Sequence, residues 1–248
     1  MKKLTFYIVD VFAEKKYAGN QLAVFRDAKR LSHTKMQQIA KEMNYSETTF
    51  LVSEQKRNSG YDVRIFTPEK EVPFAGHPTL GTAYVIQHEI IKSPIKMIVL
   101  NLKVGQIPVT LSYSGSQIDS LWMKQMSPNF GRVFEPGAVS QVLGLDKSAI
   151  DRRFPIQDVS TGLPFIIVPL KTKGALKQAK VARGKAMLVF CPVTHNHEND
   201  LSVRVFADYY GVPEDPATGS ANGCLAGYLV KYRYFGKHRI NIRVAIHS

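Results

Sequence analysis

The chain has 248 residues, of which 44% are hydrophobic and 21% charged, enough apolar content for a sizeable core and too much for a disordered chain. A formal charge of +13 raises the question of a nucleic-acid partner. The cations are scattered, however (Lys15, Lys16, Lys56, Arg57, Lys171, Lys173, Lys177, Lys180), and form no zinc-finger, RNP or basic-helix motif, so no nucleic acid is expected. Cys191 and Cys224 make neither a CxxC nor a Cys/His ligand set, which argues against a disulfide framework and a structural zinc and for the cytoplasm.

No apolar run of about 18 residues occurs, so no membrane span is expected. The opening MKKLTFYIVDVF alternates like a strand and lacks a small-residue cleavage site, unlike a signal peptide. Period-two alternation or Val, Ile and Phe enrichment predicts strands over 4–12, 21–26, 48–53, 61–66, 96–102, 106–113 and 118–124. Further strands are predicted over 164–170, 186–191, 202–206 and 238–245. A helix over 32–43 puts Met36, Ile39, Ala40 and Met43 on one face with Ser32 as N-cap. A second helix follows Pro78 through Ile91, a third covers 136–143, and a fourth runs from after Ser220 to Tyr234. Many strands with a few separate helices indicate an α+β fold rather than a doubly wound sheet.

One repeat organises these elements. VRIFTPEKEVPFAGHPTLGTA (63–83) and VRVFADYYGVPEDPATGSANGCLA (203–226) share V-R-[IV]-F, a Val-Pro, and a glycine turn into a helix. Val72-Pro73 and Val212-Pro213 fall at the same offset from Arg64 and Arg204, which places a three-residue insertion after the second Val-Pro. Upstream, YSETTFLV (45–52) pairs more loosely with VSTGLPFIIV (159–168). Two similar halves follow, dividing between 113 and 125 and taken as 1–116 and 117–248. Each would be a curved, mostly antiparallel sheet around a central helix, with the two glycine turns meeting at a cleft between the halves.

Three groups could move protons. Glu47 opens an apolar strand; it is either an exposed strand-end residue or a carboxyl whose pKa burial would raise toward the range useful for acid–base work. Asp215 stands before the second turn, as an acid–base group or as a helix cap. His77 lies in the first turn, where an imidazole can donate to a ligand or exchange protons with it. Gly76, Gly219 and Ser220 open the two helices; glycines there either serve the chain reversal alone or let N–H groups and the helix dipole hold a carboxylate. His195 and His197, flanking Asn196, read as solvated surface, and no metal site is expected. Both cysteines read as buried fillers.

DVFAEKKYAGNQLAVF (10–25), NYSETTFLV (44–52), RIFTPEKEVPFAGHPTLGTA (64–83), GQIPV (105–109) and RVFADYYGVPEDPATGSANGCLAGYL (204–229) resemble the PhzF family of phenazine-biosynthesis-like proteins over nearly the whole chain. The resemblance implies a diaminopimelate-epimerase-like fold of two halves. It implies an isomerase that moves a proton between carbons of a small, anionic carboxylate substrate, without cofactor or metal, in a homodimer. Carried over by motif, Glu47 is the main acid/base, and His77 and Asp215 assist it. Gly76, Gly219 and Ser220, with Asn20 and Ser46, line the substrate site. Racemases of this fold use two cysteines beside the turn glycines; here those positions read Ala75 and Ala217 or Thr218, which excludes a two-thiol mechanism. Gln21 stands where the family usually has Pro. The family normally continues past RINIRVAIHS into a Gly-Arg-Pro-Ser segment and a last strand, whose loss would expose a sheet edge. The alternative reading is a non-catalytic binder of small acids on the same scaffold.

Overall fold

The computed structural model describes residues 3–13, 17–180, 182–192, 199–242 and 244–246; Lys15, Lys16, His195, Asn196, His197 and His247 lie outside the described residues. The chain forms two compact units, Met1–Gln125 and Met126–Ser248. The expected 116/117 boundary falls instead inside a β-hairpin of the first unit, because residues 117–123 pair with the strand before them.

The first unit contains β1 (Phe6–Val11), β2 (Asn20–Phe25), α1 (His33–Met43), β3 (Glu47–Leu51), β4 (Tyr61–Phe66) and β5 (Glu71–Val72). They are followed by α2 (Gly76–Val85), β6 (Met97–Leu102), β7 (Gly105–Ser114) and β8 (Gln117–Met123). The strands make one eight-stranded sheet in the order β1-β2-β3-β4-β6-β7-β8, with β5 also on β4. All pairings are antiparallel except β2–β3 and β4–β6. α2 touches strands from both ends of the sheet, so the sheet curls around it. Its burial on nearly every face suits that central place. Gly81 permits the close packing: a Cβ there would lie 2.6 Å from Leu22 Cδ2 and 2.9 Å from Val11 Cγ2. α1 packs Met36 and Ala40 against Ala23, Phe50 and Phe66, and Ser32 Oγ accepts from Lys35 N at 3.2 Å as the expected N-cap.

The second unit contains β9 (Asn129–Phe134), α3 (Pro136–Leu143), β10 (Ile156–Ser160), β11 (Pro164–Pro169), α4 (Lys173–Gln178) and β12 (Met187–Cys191). β13 (Leu201–Ala207), β14 (Val212–Asp215), α5 (Gly219–Lys231) and β15 (Val244–Ile246) complete it. Its sheet runs β14-β13-β12-β11-β10-β9, with β15 also on β13. α5 packs on β10, β11 and β12. The fold is α+β and diaminopimelate-epimerase-like, with two similar mixed sheets.

The ladders align the two halves residue by residue and correct the repeat. β2–β3 and β11–β12 are both parallel, as are β4–β6 and β13–β15. With Phe66 matched to Phe206, Thr48 matches Met187, so β12 rather than β11 is the partner of β3. Ile65 faces Val72 while Val205 faces Asp215, which aligns Glu71-Val72-Pro73 with Glu214-Asp215-Pro216. The insertion therefore precedes the second Val-Pro, in the 3₁₀ turn Asp208–Tyr210, and the shared Val-Pro offset is coincidental. The bidentate pairs Arg64–Glu71 and Arg204–Glu214, each with both bonds at 2.7–2.9 Å, confirm this alignment.

Other expectations shift at their edges. The second helix starts at Gly76 rather than after Pro78, because proline's missing N–H costs nothing in a first turn, and it ends in a π-helical turn over Ile86–Ile91. The fourth spans Gly219–Lys231. Of the strand expected over 238–245, only Val244–Ile246 pairs, and 238–242 are irregular after the Gly236 turn (φ 70°). Cys191 ends β12 and Cys224 sits inside α5, both buried, and burial pushes the Cys224 thiol up.

Candidate active site

The buried run Thr48–Leu51 anchors β3 in the core, and Glu47 is its first residue. This leaves the Glu47 side chain 13% exposed. His77 belongs to the first turn of α2 and is fully buried. Its Nε2 lies 3.5 Å from Glu47 Oε2, and its Nδ1 lies 3.4 Å from Asn20 Nδ2. Asn20 is the buried first residue of β2, directly after the Gly19 turn (φ 72°), where a Cβ would collide with Val11 O. An amide N–H donated to Nδ1 would leave the imidazole proton on Nε2, toward Glu47. Asn20, His77 and Glu47 thus form one line across β2, α2 and β3. Ser46, half-buried, immediately precedes Glu47.

In the second unit Asp215 ends β14 and is buried. Thr218 Oγ1 donates to its Oδ2 at 2.5 Å. Thr218, not Ala217, is the residue directly before the turn glycine, as Ala75 is in the first unit, and each is the N-cap of its helix. Neither N-cap side chain takes a hydrogen bond from its helix, and neither first turn contains an acidic residue. Gly219 and the buried Ser220 open α5, and Ser220 O lies 3.5 Å from Thr161 Oγ1. The Asn20–His77 contact and the Thr218–Asp215 bond escaped sequence reasoning. Asn20 is 57 residues from His77, and Thr218 reads as an ordinary turn residue.

Among the described residues, no three His, Cys, Asp or Glu side chains gather as a metal site, and no helix is long and apolar enough to cross a membrane.

The sequence matches the family described as phenazine biosynthesis-like protein, PhzC–PhzF, over residues 9–246. The chain belongs to this family. It is 35% identical over 232 residues to a trans-2,3-dihydro-3-hydroxyanthranilate isomerase of Pseudomonas aeruginosa, with 92% of this chain and 80% of that protein covered. A PhzF-family phenazine biosynthesis protein of Bacillus anthracis superposes with a TM-score of 0.80 at 26% identity, covering 92% of this chain and 81% of that one. A hydroxyproline epimerase of Agrobacterium vitis, 9% identical, shares the fold alone, with a TM-score of 0.63 over 98% of this chain and 82% of the other. As a PhzF-family protein the chain is an isomerase.

Proposed function

We propose that this PhzF-family protein transfers a proton between carbons of a small carboxylate substrate without a cofactor, with Glu47 as the general acid/base. The observation that carries this reading is the Asn20–His77–Glu47 line. An ionised Glu47 accepts a proton from an acidified carbon and returns it at another carbon of the same substrate. The His77 Nε2–H steadies the carboxylate through that exchange, and Asn20 fixes the tautomer that lets it do so. Helix N-terminal N–H groups suit a substrate carboxylate: in the first unit those of Gly76 and His77 at α2, and in the second unit those of Gly219 and Ser220 at α5. Asp215, fixed by Thr218, handles a polar group of the substrate, and Ser46 lies beside Glu47 to do likewise. The protein works as a cytoplasmic homodimer. The alanine before Gly76 and the threonine before Gly219 leave no thiol pair to act as two bases.

The test is incubation with trans-2,3-dihydro-3-hydroxyanthranilate in D2O, followed by NMR. The reading predicts isomerised product with solvent deuterium at the carbon that receives the proton. Binding by calorimetry with no isomerisation and no exchange on long incubation would replace it with the binder on the same scaffold.

A further inference from the structure

Two polar lines cross the first unit, and both use the same three elements. The Asn20–His77–Glu47 line runs from β2 through α2 to β3. A second lies further along each element. Thr82 Oγ1 of α2 donates to Thr49 Oγ1 of β3 at 2.9 Å, and Thr49 Oγ1 donates to Ala23 O of β2 at 3.4 Å. Thr49 is two residues from Glu47 and, since strand side chains alternate, lies on the same face of β3. Both threonines are wholly buried.

The scaffold does not require these hydroxyls. Through the ladders Thr49 corresponds to Leu188, and with Gly76 matched to Gly219, Thr82 corresponds to Leu225. Both leucines are wholly buried, so apolar packing fills these two places in the second unit. Apolar contact is non-directional and tolerates a slide of helix on strand. A buried hydroxyl does not, because it must keep a partner in range and in line or go unpaired at a cost. The unit with the hydroxyl pair is the unit with His77 and Glu47; the other has Ser220 and Ala186 in their places. Thr79 Oγ1 donates to Ala75 O at 2.7 Å, which braces the first turn of α2 within itself. Gly81 lets α2 close on Val11 and Leu22, which sets its distance from β1 and β2. Thr82 adds a directional bond from α2 to β3.

We propose that Thr49 and Thr82 are positioning residues for the proton transfer: their hydroxyl chain fixes the register of α2 against β3 and so holds the His77 imidazole on Glu47. This rests on the reading of Glu47 as the acid/base. Loss of the chain leaves the packing of α2 in place and loosens the alignment of His77 with Glu47 and Asn20.

The test is Thr49→Val combined with Thr82→Val, which removes both hydroxyls at nearly constant shape and strands neither. Thr48→Val is the control: its hydroxyl is buried one position away, on the opposite face of β3, and has no hydrogen-bond partner. Heteronuclear NMR of the histidine ring nitrogens, with His77 assigned by its loss in His77→Gln, needs no substrate. It should show one neutral tautomer of His77 in wild type and Thr48→Val and a mixture in the double variant. With trans-2,3-dihydro-3-hydroxyanthranilate in D2O, kcat for deuterium incorporation should fall roughly 10–100-fold in the double variant, with KM nearly unchanged. Thr49→Ser with Thr82→Ser should keep the wild-type rate. A folded double variant with wild-type His77 signals and wild-type kcat overturns the proposal. So does a loss that Thr48→Val shares or that the two serines leave in place. If wild type incorporates no deuterium, the proton-transfer reading fails, and the His77 signals decide the positioning role by themselves. If the double variant does not fold, Thr82→Ala makes the same comparison, since Thr49 then keeps its bond to Ala23 O.

Discussion

The two units share a scaffold and differ at the side chains proposed for chemistry. Through the ladders, Glu47 corresponds to Ala186, His77 to Ser220, Asn20 to Leu163, and Asp215 to Val72. What they keep is structural: the V-R-[IV]-F strand, the Arg–Glu pair behind it, the proline and glycine before the central helix, and the parallel ladders. A symmetric two-base racemisation needs equivalent groups in both halves, whereas a directional isomerisation needs one strong acid/base and a different set of holding groups. In the proposed reading the proton carrier, Glu47, belongs to the first unit; the second unit has at the matching strand end a residue without a titratable group, and its own buried carboxylate, Asp215, is bound to Thr218.

The comparison can be broken first at the shared arginines. Arg204 holds Glu214 and also donates to the carbonyl oxygens of Leu176, Lys177 and Ala179 at 2.8–3.1 Å. Arg204→Met strands all four partners and should cost about 3–5 kcal/mol. Arg64 hydrogen-bonds Glu71 and lies over the Phe66 ring, and Lys103 remains to pair that carboxylate, so Arg64→Met should cost roughly 2 kcal/mol. Denaturant unfolding of both variants measures the difference, and equal losses would contradict the account of Arg204 as the tie between α4 and β13.

Next come the helix floors. Gly81→Ala forces a methyl against Leu22 and Val11 and should destabilise by about 1–3 kcal/mol. The matching Cys224→Ala only removes a sulfur beside Thr161 and Leu163 and should cost roughly 1 kcal/mol. Thermal melts that reverse this order would disprove the tighter packing of α2.

The smallest expected effect is on acid stability. Burial raises the Glu71 carboxyl, but hydrogen bonds from Arg64 and Lys103 outweigh it and hold the group below its ordinary value. A depressed carboxyl contributes stability that is present above the unfolded-state pKa, about 4.3, and is lost as pH falls through the folded-state value. Acid titration of the melting temperature should therefore fall more steeply below that pH for wild type than for Glu71→Gln. Parallel curves would show that the pair contributes no linkage.

Much of this was legible in the sequence. Long alternating runs such as LTFYIVDVF and QIPVTLSY announce their strands, and α1 announces itself through its apolar face and Ser32. The repeat was visible because the central helices need a glycine turn behind a paired Arg strand. Its register was not, because a 3₁₀ turn lengthens one loop and a chance Val-Pro masks the shift; only strand pairing separates the two. β9 was missed since Gly131 and Arg132 break its alternation, and β14 since VPED is short and carries a proline. Glu47, His77 and Asp215 could be singled out by motif, but the Asn20–His77 and Thr218–Asp215 contacts arise from tertiary packing and turn geometry that no spacing rule encodes.

The central claim is that Glu47 carries the proton. The most direct measurement is the rate of solvent-deuterium incorporation into trans-2,3-dihydro-3-hydroxyanthranilate by wild type, Glu47→Gln and Asp215→Asn, with folding checked by circular dichroism. The account predicts a loss of roughly 10²–10⁴-fold for Glu47→Gln at unchanged fold, and a smaller loss for Asp215→Asn. Exchange by Glu47→Gln at the wild-type rate, or a greater loss in Asp215→Asn, would contradict it.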